Sequence, residues 1–210
     1  MGSSVMLDII GSLSTFGLLL LTVLRLNAAA GESTYAYNQN YLLQRNMVVL
    51  TVMLESDLKH VGAQVYDLDG GIQLADTSDL VFRGILQGDT AISTVEWKLG
   101  PYNGTTPNPN IRFLSRIKNG VESRMNLGVT QFKFAYWSII DANTKLTTPI
   151  IGGAANGGGG NIGPVSVYIR LESPYKMKQQ YMSDTSQYDM VWRQIRSVSR
   201  NNSIQYPTGN

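Results

Sequence analysis

The sequence predicts an α+β fold in which one long N-terminal helix packs on an antiparallel β-sheet. Three observations predict it. Val5 to Leu24 reads VMLDIIGSLSTFGLLLLTVL, twenty residues with one charge, Asp8. Met47, Leu50, Leu54, Leu58 and Val61 recur at spacings of 3, 4, 4 and 3, a narrow stripe on one helical face. Beyond Gly62 the apolar period changes from helical to alternating.

Composition narrows the function. A chain of 210 residues fits one ordinary domain, or a smaller one with an appendage. Charged residues at 15% against a hydrophobic 43% exclude a disordered polyelectrolyte. Lys+Arg exceeds Asp+Glu by 17 to 15, so the chain as a whole has no basic field, and no nucleic-acid partner is expected. The absence of cysteine excludes a disulfide framework, an iron–sulfur site, a thiol nucleophile and a thiolate zinc site. With His60 as the single histidine, most hydrolytic and metal constellations are unavailable. The arithmetic favours a non-catalytic protein with no cofactor and no metal.

The apolar run Val5–Leu24 has the length of a bilayer's hydrocarbon core, about 30 Å at 1.5 Å per residue. Three readings compete. Ala28-Ala29-Ala30 resembles a signal-peptide cleavage site, but Met1 to Val5 holds no Lys or Arg and Asp8 lies inside the run. A buried core helix is disfavoured by the acid and by the length. A retained membrane-spanning anchor accounts for both. Only Arg25 lies close to either end, so orientation rests on the short uncharged N-terminus, which is easier to leave in the cytoplasm with the C-terminal bulk outside. An ionised Asp8 in the bilayer costs at least a few kcal/mol. It therefore has a partner, such as a neighbouring subunit's α-amino group, or it stays wet near the headgroups.

Ala28 to Gly31 reads as a small-residue joint, after which Ser33 or Thr34 can cap a second helical segment carrying the stripe. Tyr35, Tyr37 and Tyr41 suit an interfacial aromatic belt or packing between adjacent helices. Glu55, Asp57 and Lys59 lie off the stripe. His60 falls in the last turn, where a cation favours the helix dipole, and Gly62 supplies the stop. If anchor and segment join, the helix runs from about Val5 to Val61 and reaches roughly 85 Å.

The remaining chain reads as strands. VSVYIRLE (Val165 to Glu172) places Val165, Val167, Ile169 and Leu171 on one face. ISTVEWKL (Ile92 to Leu99) turns Val95, Trp97 and Leu99 inward. DLVFRGIL (Asp79 to Leu86), IRFLSRI (Ile111 to Ile117), TQFKFAYWSI (Thr130 to Ile139) and VWRQIRSVS (Val191 to Ser199) read similarly. Turn clusters separate them: Asp69-Gly70-Gly71, Gln87-Gly88-Asp89, Pro101 to Asn110, and Lys118-Asn119-Gly120. The glycine-rich stretch Gly152 to Gly163 lacks either phosphate-loop pattern and reads as a flexible surface loop. Asp67, Asp69, Asp76 and Asp79 cluster near DLDGG, which has only part of a calcium-loop pattern, so turn formation is favoured over a bound ion. Asn103-Gly104-Thr105 and Asn201-Asn202-Ser203 match the glycosylation acceptor, a pattern too common to carry weight.

The order of these pieces resembles the type IV pilin-like family, closest to the larger minor pilins and the minor pseudopilins of type II secretion. LTVMLESDLKHVGAQV resembles the end of that family's long first helix. ADTSDLVFRGIL, ISTVEWKLG, FLSRIKNG, GVTQFKFAYWSIID, VSVYIRLES and WRQIRSVSRN follow in order, so the pattern covers roughly Leu50 to Asn201. The resemblance implies residues 1–30 as a transmembrane and filament-core helix and 31–62 as its amphipathic half. It implies 63–200 as a β-sheet head with the loop 152–163, followed by a tail, 201–210. The chain departs from the family at its start: no basic leader precedes Gly2, and Ser3-Ser4-Val5-Met6-Leu7-Asp8 replaces the family's aromatic, Thr-Leu-Ile-Glu run. The resemblance implies that Asp8 stands in for the glutamate that pairs with a neighbour's amino terminus, at an offset from Gly2 that differs from the family's.

The function so implied is that of a structural subunit, held in the inner membrane before assembly and afterwards in an extracellular filament or periplasmic pseudopilus. Its partners are copies of itself or related subunits, and the contacts run through Asp8, Phe16, Leu19, Leu20 and Leu24. Met47, Leu50, Leu54, Leu58 and Val61 fasten helix to sheet. The alternative is a membrane-anchored β domain for binding or adhesion that never polymerises, with Trp137 and Tyr136 lining a groove. A third hypothesis, an enzyme with the carboxylate pair Asp76 and Asp79, lacks any pocket in the sequence pattern.

Overall fold

The computed structural model describes residues 2–65, 71–141, 143–151, 162–178 and 186–198. Helix α1 runs from Gly2 to Lys59. Eight strands follow among the described residues: β1 (Ile72–Ala75), β2 (Asp79–Gly84), β3 (Ser93–Tyr102), β4 (Arg112–Lys118), β5 (Val121–Ser138), β6 (Ile150–Ile151), β7 (Ile162–Lys178) and β8 (Ser186–Val198). They form one curled antiparallel sheet in the order β6-β1-β2-β3-β4-β5-β7-β8, and the fold is α+β. The chain separates into two compact units, Met1–Tyr41 and Leu42–Asn210.

The first unit is helix alone. No break interrupts it at Ala28–Gly31, where the sequence predicted a joint. Three alanines are the best helix formers, and one glycine costs only about 1 kcal/mol. Thr34 caps nothing, because its Oγ1 donates back to the Ala30 carbonyl at 2.9 Å.

In the second unit the helical stripe meets the sheet. Met47, Leu50, Leu54, Leu58 and Val61 are buried, as is Leu43 one turn earlier. They share one core with Phe82, Val95, Phe134 and Ile169 from the inner face of the sheet. A run of rings crosses that core, from Trp97 through Phe132 and Phe134 to Tyr136, with neighbouring centroids 4.9 to 6.3 Å apart. The helix stops where the sequence places Gly62, which adopts φ +71° and donates its N–H to the Arg83 carbonyl at 2.8 Å. His60 Nδ1 lies 2.6 Å from the Ser56 carbonyl, so a ring N–H satisfies one of the helix's last acceptors.

Strands β1 to β5 are joined in sequence order, each to the next. The β4–β5 turn is the two-residue Asn119-Gly120 at φ +50° and +82°, values that right-twisted hairpins require and that Asn and Gly adopt cheaply. Strand β5 starts at Val121, nine residues earlier than the alternation at Thr130 indicates. Its first half, VESRMNLG, pairs with β4, and from Val129 it pairs with β7. Gly128 sits at the change of neighbour with φ +80°, and a Cβ there would lie 2.7 Å from the Glu172 carbonyl.

Other differences have local causes. Leu99 packs against the core as expected but is only half-buried, where the register with β4 shifts between Leu99 and Tyr102. Pro101 and Tyr102 continue β3 and do not open a loop. Tyr136, expected at an exposed groove, is fully buried, since it alternates in phase with Phe132 and Phe134. Asp67, Asp69, residues 152–161 of the glycine-rich loop, the second acceptor pattern and the tail 201–210 lie outside the described residues.

Candidate functional site

The first unit carries the expected assembly residues. Phe16, Leu19, Leu20 and Leu24 are 50 to 65% exposed, and Asp8 is exposed as well. Apolar side chains point outward all round this part of the helix, from Ile9 and Ile10 through Leu13 and Leu18 to Leu26. Such a surface has no place in water. The helix is long and apolar enough to span a membrane. Three hydroxyls of its apolar part fit that setting. Thr15 Oγ1 donates to the Gly11 carbonyl at 2.9 Å, Thr22 Oγ1 to Leu18 at 2.8 Å and Ser12 Oγ to Ile9 at 2.9 Å, so each is satisfied by its own helix. Between Asp8 and Arg25 no ionisable side chain occurs, a stretch of roughly 25 Å at 1.5 Å per residue.

In the second unit Asp57 is a charged group with three side-chain hydrogen bonds. Although it lies off the apolar stripe, the residue is buried, at 6% exposure. Oδ2 accepts the Trp97 indole N–H at 2.8 Å and Arg116 Nε at 2.7 Å, and Oδ1 accepts Arg116 Nη2 at 2.9 Å. These bonds hold the guanidinium's affinity for its proton above the usual value. A signal for this pair exists in IRFLSRI. Alternation from Leu114 puts Arg116 on the inner face, where a cation needs an acid from the covering helix.

A second buried polar group holds the β3–β4 loop. Asn108 Nδ2 donates to Glu172 Oε2 at 3.1 Å and to the Ser173 carbonyl at 3.0 Å. Arg170 Nη2 lies 2.8 Å from Glu172 Oε1. Asn103 Oδ1 accepts both the N–H and the hydroxyl of Thr105, at 3.1 and 2.6 Å. Asn103 is 1% exposed, so its acceptor pattern is closed to a glycosylating enzyme in the folded chain.

The carboxylate pair has a structural setting. Asp76 N donates to the Asp79 carbonyl at 2.8 Å, and Asp76 Oδ1 accepts the Thr77 N–H at 2.7 Å, which closes the β1–β2 turn. The Tyr136 hydroxyl donates to the Asp76 carbonyl at 2.9 Å, and burial raises its pKa. Burial and the nearby Glu96 raise that of Asp79. A crevice lined by Leu58, Val61, Ile72, Gly163, Val165 and Ser197 is too tight for a water molecule and touches neither acid. Among the described residues no three metal-ligating side chains come together. No family model, no curated protein and no solved structure matches the chain.

Proposed function

We propose that the chain is a non-catalytic, single-pass structural subunit that assembles with copies or relatives of itself through its N-terminal helix, as type IV pilins and pseudopilins do. One observation carries this reading: the helix that supplies the sheet's inner stripe continues, without interruption, into a segment apolar on every side. In the membrane, lipid covers that segment. In a filament, Phe16, Leu19, Leu20 and Leu24 exchange lipid for neighbouring helices, and Asp8 finds an amino group in the next subunit. The second unit lies outside the cytoplasm on this reading. A lone anchor that never polymerises is the second reading, supported by the 61% exposed Trp192 on the sheet.

Cysteine placed at Leu19 or Leu20 separates the two. Each variant carries one thiol, so oxidative cross-linking in native membranes gives a disulfide-linked dimer for a subunit whose helix packs against a copy of itself. Monomer alone, under conditions where a known membrane dimer cross-links, overturns assembly through this helix.

A further inference from the structure

The face of the sheet turned away from α1 is not uniform. Across β2, β3 and β4 charges alternate and pair, as in Lys98 with Glu96 at 3.1 Å, and Arg124 of β5 reaches Glu122 at 3.4 Å. Across the second half of β5 with β7 and β8 the balance changes. Register sets Lys133, Tyr168 and Gln194 side by side in one row, and Gln131, Arg170 and Trp192 in the next. Trp137 lies one end further along, with Lys145 bridged opposite it. Tyr168 and Trp192 stack with centroids 6.1 Å apart, and the Arg196 guanidinium lies 5.3 Å over the Trp137 ring. Among the described residues, the strand positions of this face hold one carboxylate, Glu172, which is buried and paired to Arg170. Among the described residues, Lys133 and Lys145 therefore add positive charge around three rings, although the chain carries only +2 overall.

We propose that this face of β5, β7 and β8 docks an acidic polysaccharide, with sugar rings laid on Trp192 and carboxylates met by Lys133 and Lys145. The charge selects an anion. The rings select a ligand with flat apolar faces: Trp192 is 61% exposed, and its ring stacks on that of Tyr168. The amides of Gln131 and Gln194, one on each side of the central β7 strand, offer paired donors and acceptors suited to neighbouring hydroxyls. From the Trp137 row to the Trp192 row is about six residues, roughly 20 Å along the strands, and three strands span roughly 10 Å, room for a few sugar units. A single-stranded nucleic acid fits less well. It needs successive open rings for its bases, and here Arg196 covers Trp137 while Trp192 covers Tyr168.

The test uses the full chain in a neutral detergent, with alginate as the polyuronate and dextran, oligo-dT and phosphatidylglycerol vesicles as comparisons, read by tryptophan fluorescence and co-sedimentation. Alginate is expected to bind with affinity that falls as salt rises, and dextran to bind at least tenfold more weakly. Trp192→Ala and the double variant Lys133→Gln, Lys145→Gln each lose tenfold or more with an unchanged circular dichroism spectrum. Lys98→Gln, on the balanced part of the sheet, binds as the parent does. Absence of alginate binding, or binding that Trp192→Ala leaves intact, overturns the proposal. Tighter binding of oligo-dT or of the vesicles than of alginate overturns it too, in favour of that other anion.

Discussion

Asp57 on the helix grips Arg116 on β4 through two parallel hydrogen bonds, 2.7 Å from Nε and 2.9 Å from Nη2, beneath the indole of Trp97. A buried ion pair adds little net stability over an apolar pair, but removing one partner strands the other. Asp57→Ala is therefore expected to destabilise the chain by about 3–5 kcal/mol, since it orphans a guanidinium and an indole N–H together. The double variant Asp57→Ala, Arg116→Met recovers much of that loss. Denaturant titration followed by circular dichroism measures both. A cost below about 1 kcal/mol for the single variant shows that the pair is dispensable.

The helical stripe has unequal faces. Leu54 is fully buried, whereas Val52 on the other side is 59% exposed. Leu54→Ala should cost about 2–5 kcal/mol through lost transfer energy and the cavity left behind. Val52→Ala should stay within about 0.5 kcal/mol of the parent in the isolated chain. Equal effects from the two would mean that the helix is rotated on the sheet.

Gly128 is needed for two reasons at once, its φ of +80° and the 2.7 Å approach of the Glu172 carbonyl to any Cβ. Gly128→Ala combines backbone strain with a clash against main chain, and is expected to cost about 2 kcal/mol or more. Gly104→Ala, with open space around its Cβ position, serves as the comparison. Thermal unfolding distinguishes them.

Asp79 makes stability depend on pH in a direction opposite to most acids. Burial, then Glu96, lifts its carboxyl above the usual 3.8. The folded chain keeps this proton where the unfolded chain has released it, so the contribution to stability declines as pH rises from about 4 through the raised value, and stays reduced above it. Asp79→Asn removes the dependence. Its melting temperature should exceed the parent's at pH 7 by on the order of 1–3 °C, after allowance for solvent screening, and the difference should close near about pH 3. A lower melting temperature at pH 7 would show that the charge is stabilising.

Sequence and structure agree most closely where a single period dominates. The stripe from Met47 to Val61 and the alternation Val165 to Leu171 are legible because one face of each element is covered and the other is not. Legibility fails where pairing, not pattern, makes the strand. The residues Val121 to Leu127 alternate weakly and become β5 through their hydrogen bonds to β4. The short β1 exists through its pairing with β2 and β6, and the two-residue β6 through its pairing with β1. Asp57 was obscured by its charge, and Tyr136 by the hydroxyl that reaches the Asp76 carbonyl from inside the core. The ring-and-cation face has no signature along the chain, because its members sit on three strands and meet only through register.

The strand order has a temporal consequence. During synthesis the helix is complete at Lys59, yet its cover arrives late: Phe82 comes 23 residues afterwards, Ile169 110, and Ile195 136. At about 5–20 residues per second the ribosome leaves Leu50, Leu54 and Leu58 without their full lid for roughly 7–27 s. Because neighbours from β1 to β5 are also neighbours in sequence, that part of the lid can grow one hairpin at a time over the waiting stripe, and only the short β6 has to return to a distant strand, β1.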